Sequence, residues 1–165
     1  MVRVIDAEPG VSSPMTEEEA KNFMANNNNG NSRLLVHLGM VDGKGEPNVI
    51  PTGYYFDKNS NKIYITTEKS SKKVHDLRTT MNIFSYCIDN PNPPYKGVRG
   101  KGKVKIHEDI NHNIPITEKI RTRYMESLEN PMAKWVLDET KKGNMIILEI
   151  TPSYYSTWDY GKSQQ

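Results

Sequence analysis

Residues 33–67 read RLLVHLGMVDGKGEPNVIPTGYYFDKNSNKIYITT, and their rhythm decides the fold class. Three runs rich in β-branched and aromatic residues, RLLVHLGMV, NVIPTGYYF and KIYITT, alternate with DGKGEP and DKNSN, whose residues favour turns. The spacing predicts a three-strand antiparallel meander. Further out, MNIFSYCID (81–89) reads as another strand and NPNPP as a break. YKGVRGKGKVKIHED (95–109) reads as a long basic strand whose glycines suggest a bend or bulge. NMIILEIT (144–151) and SYYSTWDY (153–160) supply two last strands, with Pro152 at the corner.

Helices are expected at three places between these strands. Thr16-Glu17-Glu18-Glu19 has the form of a capping box ahead of a short helix through Phe23 and Met24, which NNNNGN at 26–31 ends. A second helix over about 71–80 would bury Val74 and Leu77, with Ser70 or Ser71 as its cap. Residues 114–142 have helical spacing in two segments parted by Pro131. Ile120, Tyr124 and Leu128 share one face, Met132, Trp135 and Val136 the next, and Gly143 suits the stop. Together these elements predict a mainly β protein, a β-barrel of about six to seven mostly antiparallel strands with inserted helices. Residues 1–15 form an N-terminal arm, 16–160 the domain and 161–165 a tail.

The chain has 165 residues, room for one domain and little more. With 35% hydrophobic residues and a mean hydropathy of -0.73 it is polar for its length, which an oligomer interface would explain. A net charge of +2 and a pI near 8.5 do not by themselves imply nucleic acid or membrane as partner. A single cysteine, Cys87, excludes an intrachain disulfide and a Cys-rich zinc site, and fits a cytoplasmic protein. MVRVIDAEPG lacks a signal-peptide core, and no stretch approaches the roughly 20 apolar residues of a membrane span, so a soluble protein is expected.

Basic residues gather in 69–73 and 96–105. In TTEKSSKKVHDL (66–77), Thr66, Thr67 and Ser71 offer hydroxyls, while Lys72 and Lys73 add charge at a helix start, the components of a phosphate site. A solvated loop with a capping serine has the same composition. GVRGKGK (97–103) approaches a phosphate-binding loop, but Val104 stands where Ser or Thr is needed and a β-type run follows instead of a helix. HEDINH (107–112) sets its second histidine one residue late for a helical metal pair, and His37 and His75 have no evident partners, so no metal site is expected. Cys87 reads as a buried small hydrophobe. Trp158 is either core or a surface on which a flat ligand stacks.

In order and spacing, the stretch Leu34–Gly43, Pro51-Thr52, Ile65-Thr66-Thr67, Ser71-Lys72-Lys73, the Val74–Leu77 helix, Pro93-Pro94-Tyr95, the Gly/Arg-rich strand from Gly97 and Thr157-Trp158-Asp159 resemble the pyridoxamine 5'-phosphate oxidase-like family. The resemblance spans roughly residues 16–160 and implies a split β-barrel binding FMN, or alternatively the deazaflavin F420. It implies that Ser71, Lys72 and Lys73 hold the cofactor phosphate, with donors from Thr66 and Thr67 at the end of the strand through Ile65. Pro51 and Thr52 would lie along the isoalloxazine edge. Tyr95, Lys96 and Trp158 would come from the second subunit of a homodimer with the cofactor at its interface. The implied activity is that of a flavin-dependent oxidoreductase acting on a small molecule. The resemblance assigns no catalytic side chain; Tyr95 and His37 are the two to test. The chain shows no match to the basic ending with which true pyridoxamine phosphate oxidases hold substrate, so that reaction is not implied. F420, with its longer acidic tail, would suit Lys96, Arg99, Lys101, Lys103 and Lys105. A nucleic-acid-binding barrel using the same strand, with Tyr54, Tyr55 and Tyr95 as stacking platforms, is the non-enzymatic rival.

Overall fold

Alternation along the strands becomes a barrel because one side chain in two is apolar and must leave water. In β2 (Val36–Val41), Val36, Leu38 and Met40 point inward and His37, Gly39 and Val41 outward. A computed structural model describes residues 1–25, 34–80, 84–125 and 127–162; the stop expected at 26–31 lies outside them. The other strands are β1 (Val4–Asp6), β3 (Pro47–Thr52), β4 (Tyr55–Asp57), β5 (Lys62–Glu68), β6 (Phe84–Asn90), β7 (Lys96–His107), β8 (Met145–Pro152) and β9 (Tyr155–Asp159). The helices are α1 (Glu17–Ala25), α2 (Lys72–Thr79), α3 (Ile110–Tyr124) and α4 (Pro131–Lys141). Among the described residues the sheet has nine strands, ordered β3-β2-β6-β7-β8-β5-β4, with β9 beside β7 and β1 beside β9. All pairings are antiparallel except β1 with β9.

Two of the nine strands exceed the expected count for identifiable reasons. Residues Val4–Asp6 of the arm pair in parallel with β9, and the Met15 N–H donates to Thr157 Oγ1, which ties the arm to the barrel wall. The run 48–56 is two strands, not one. β3 pairs with β2, whereas β4 pairs with β5 at the opposite end of the sheet, so the expected meander is broken at Gly53-Tyr54. β7 makes a comparable change: Lys96–Lys101 pair with β6, then Gly102–His107 pair with β8. The bend expected from its glycines falls there. A Cβ on Gly100 would stand 2.5 Å from the Tyr154 carbonyl oxygen, and one on Gly102 2.9 Å from that of Thr151.

Inside, Leu38, Ile63, Ile65, Ile88, Leu148 and Ile150 form a core completed by Phe23 and Met24 of α1, each large side chain contributing roughly 1.5–3 kcal/mol by leaving water. The capping box forms as read: Thr16 N–H donates to Glu19 Oε2 (2.7 Å) and Glu19 N–H to Thr16 Oγ1 (3.2 Å). Gly143 ends α4 at a φ of 78°. The apolar face read on α4 needs correction: Val136 is buried, but Met132 and Trp135 are exposed. Cys87 also departs from expectation, because it faces outward from β6 and is only half-buried. No helix among the described residues is long and apolar enough to cross a membrane.

Candidate functional site

The ladder between β4 and β5 ends at Tyr55–Tyr64, although continuing its register would set Thr52 opposite Thr67. Beyond that point β3 stays with β2, and no described strand pairs with this edge of β5 from Ile65 to Glu68. The barrel is split there. Tyr124, from the end of α3, occupies the parting: its hydroxyl accepts the Tyr54 N–H (3.0 Å) and donates to the Leu34 carbonyl (2.6 Å). A Cβ on Gly53 would stand 2.9 Å from the Tyr124 ring, so glycine lets the wedge in. Tyr54 is wholly buried, its hydroxyl donating to the Met24 carbonyl and the Arg123 guanidinium 4.1 Å from its ring centre. It therefore cannot serve as a stacking platform for nucleic acid.

At the open end of the split lies a polar cleft of about 420 Å³, lined by Thr52, Thr66, Thr67, Ser71, Lys73 and Arg121 together with Glu68, Val136 and Met145. Five of the first six were expected from the sequence; Arg121 was not. Ser71 is the N-cap of α2, as read, but its side chain makes no capping bond; its hydroxyl lies 3.3 Å from Thr67 Oγ1, which also accepts from Lys73 Nζ at 2.8 Å. In the first turn of α2 the Val74 and His75 N–H groups donate to the Ser71 carbonyl, at 3.1 and 3.2 Å. Thr66 Oγ1 and Arg121 Nε are buried without a hydrogen-bond partner among the described residues. Burial lowers the pKa of both cations, of Lys73 with only Glu68 opposing and of Arg121 with Tyr124 opposing. Neither makes an ion pair among the described residues. Desolvated cations that make no ion pair among the described residues, beside an orphaned hydroxyl, form a receptor for a compact anion.

Other expected residues lie elsewhere. Lys72 points away from the cleft to Asp76 (2.7 Å) and Asp42 (3.6 Å). Ile65 is buried in the core and does not line the cleft; Pro51 is exposed on the edge strand β3 beside Thr52. Tyr95, Lys96 and Trp158 do not line the cleft. They gather where β7 begins and β9 ends: Trp158 lies over Gly97, where a Cβ would come within 2.3 Å of its ring, and Lys96 Nζ sits 5.6 Å from the Phe23 ring centre. Tyr95 is half exposed. His37 faces outward with Asp89 at 3.7 Å, in a recess of about 490 Å³ that it shares with Cys87, Arg99 and Lys101. Burial, with Asp89 adding to it, pushes the Cys87 thiol up to about 11, so the thiol is protonated at neutral pH, as expected of a non-nucleophile. Arg121 was missed because its nearest signal, a basic pair in the last turn of a helix, is common; only packing of α3 over β5 turns one of the two into the cleft.

The fold is shared widely. A conserved hypothetical protein, Rv2991, from Mycobacterium tuberculosis superposes with a TM-score of 0.75 at 19% identity, over 96% of this chain and 92% of that one. An F420 reductase superposes at 0.61 with 21% identity, over 86% and 98%. A FAD-binding protein from Mesorhizobium loti superposes at 0.60 with 17% identity, over 89% and 96%. At such identities the likeness is one of fold. Comparison with curated protein sequences gives no match. Residues 17–159 match the pyridoxamine 5'-phosphate oxidase family, and with nearly the whole barrel inside that match the chain belongs to this family.

Proposed function

We propose that this chain is a flavin-dependent oxidoreductase that holds FMN in the split of the barrel, with its phosphate in the Thr66–Lys73–Arg121 cleft. The observation that carries the reading is the pairing of two half-buried cations, unmatched by any carboxylate bond among the described residues, with the orphaned hydroxyl of Thr66. A phosphate dianion would accept from Lys73, Arg121, Ser71 and Thr66 and repay their desolvation, at roughly 1.5–3 kcal/mol per charge-assisted hydrogen bond.

FMN, when bound, supplies the hydride and electron chemistry; the chain binds, orients and shields it. The free edges of β3 and β5 on the two lips of the split offer backbone groups to the rim of a flat polar ring. Trp135 and Met145 line a recess that shares Glu68 and Met145 with the anion cleft, which gives an apolar wall beside it. Neither His37 nor Tyr95 lines the cleft, which supports a reaction carried by the cofactor without a side-chain acid or base from this subunit. Homodimerisation belongs to the same proposal: Tyr95, Lys96 and Trp158 reach a cofactor only from a second subunit, and sedimentation of the purified protein at the mass of two chains is the expected result.

F420 is the second reading. Arg99, Lys101, Lys103 and Lys105 form an exposed ridge on one face of β7, suited to a longer acidic tail. Absorbance titration with FMN and with F420, together with mass identification of any chromophore released on denaturation, tests both. Tight uptake of FMN supports the first reading and preference for F420 the second. If neither binds, the proposal is overturned.

A further inference from the structure

His107, His112 and Glu149 come together on the outer face of the barrel, beneath the first turn of α3. His107 is the last residue of β7 and Glu149 lies in the middle of β8, diagonal to it on the same face; His112 is the third residue of α3. Their ligand atoms all lie within 4.8 Å of one another. The two imidazoles stack with centres 4.0 Å apart and planes 17° from parallel, and His107 Nε2 lies 2.9 Å from Glu149 Oε2. The spacing in HEDINH, wrong for a single helix, is right for a strand that turns directly into one.

The surroundings fix which atoms are available. Asn113 is buried and its Nδ2 donates to the His107 carbonyl at 2.8 Å, which leaves Asn113 Oδ1 facing His112 Nδ1 at 3.0 Å. An acceptor there requires the proton on Nδ1, so His112 Nε2 carries the lone pair. Lys62 donates to Glu149 Oε1, which leaves Oε2 to the histidines. Metal-bound histidines are oriented in this way, with the second ring nitrogen anchored by a hydrogen bond.

We propose that His107 Nε2, His112 Nε2 and Glu149 Oε2 bind one divalent transition-metal ion such as Zn²⁺, with a fourth position left to water. Two imidazoles and one carboxylate suit zinc, copper or nickel better than magnesium or calcium. Tetrahedral bonds of about 2.0–2.1 Å set ligand atoms about 3.3 Å apart, which His112 reaches by rotating toward the His107–Glu149 pair. The ion takes the place of the hydrogen bond between His107 Nε2 and Glu149 Oε2, and the Nε2 proton of the neutral imidazole moves to Nδ1 so that Nε2 offers its lone pair. Lys62 and Lys105 oppose an added cation, so affinity near micromolar is expected rather than the tighter binding of a zinc-finger site. The ion would clamp the start of α3 to β7 and β8. Arg121 and Tyr124 lie about 13–18 Å further along the same helix.

The test is calorimetric titration of the tag-free, EDTA-stripped protein with Zn²⁺, paired with a melting curve. One ion per chain with a dissociation constant of about 10 μM or tighter, and a melting point that rises with zinc, is the expected result. Affinity should fall at least tenfold in His112→Gln, where the side chain is only part-buried and the fold is least at risk, and again in Glu149→Gln; His75→Ala, exposed on α2, should bind as the parent does. No saturable binding below about 100 μM, or binding that both ligand variants retain, overturns the assignment.

Discussion

Two recesses in this barrel hold reactive side chains and treat them in opposite ways. On the outer face of β2, β6 and β7, His37 stands near Asp89, Arg99 lies against Trp158 and the Cys87 thiol is held protonated. In the split, Lys73 and Arg121 are drawn half out of water, and Thr66 Oγ1 is left with no partner among the described residues. The lesson is that lysine content does not make an anion site. Desolvation without an ion pair does, and of these two recesses the cleft shows it among the described residues.

The largest expected effect comes from removing both cations of the cleft. Lys73→Ala combined with Arg121→Ala should weaken FMN binding more than a hundredfold in an absorbance or fluorescence titration. Each charge-assisted contact accounts for roughly 1.5–3 kcal/mol, so either single variant should cost about tenfold or more. If the double variant bound within threefold of the parent, the contrast between the two recesses would lose its functional meaning.

Cys87 offers a probe of the outer recess. With its pKa raised from 9.0 to about 11, its thiolate fraction near pH 8 is roughly a hundredfold below that of an ordinary thiol. Alkylation by iodoacetamide should accordingly be slow at pH 8 and accelerate steadily toward pH 11. Rapid labelling at pH 7 would show a thiol activated by its neighbours and reverse the description of that face.

Tyr124 sharpens the comparison structurally, because it holds the split open. Tyr124→Phe strands the Tyr54 N–H and the Leu34 carbonyl, and should lower stability by roughly 1–3 kcal/mol, seen as a melting point several degrees lower. An unchanged melting point would mean that these groups find other partners when the hydroxyl is lost. The smallest effect should come from the basic ridge: Lys101→Ala and Lys103→Ala should leave FMN affinity within twofold, as should Lys72→Ala, whose side chain is held by Asp76 and Asp42. A tenfold loss at Lys101 or Lys103 would instead favour a cofactor whose acidic tail reaches β7.

Much of this was legible in the sequence, and the failures have physical causes. The capping box at Thr16, the stop at Gly143, the start of α2 at Ser71 and the bend in β7 depend on local backbone chemistry, which a short stretch carries with it. The break at Gly53-Tyr54 does not, because the residues that cause it, Tyr124 and Leu34, are far along the chain. In the site, composition alone left a solvated loop equally open and the family resemblance brought Thr66, Thr67, Ser71 and Lys73 together, but neither turned Lys72 away; that depends on where Asp42 and Asp76 fall. Arg121 and the His107–His112–Glu149 cluster stayed hidden for one reason. Both depend on α3 packing on β5 and β8, which turns Arg121 into the cleft and brings the locally paired His107 and His112 to Glu149, a tertiary contact far apart in sequence.

The most direct test of the central claim compares FMN with riboflavin, which differs by the phosphate alone, in parent protein and Arg121→Ala. If the cleft holds the phosphate, the parent should bind FMN at least tenfold more tightly than riboflavin, and Arg121→Ala should narrow that gap by about tenfold while leaving riboflavin affinity unchanged. An equal gap in both proteins, or no gap in the parent, would contradict the account and place the phosphate elsewhere.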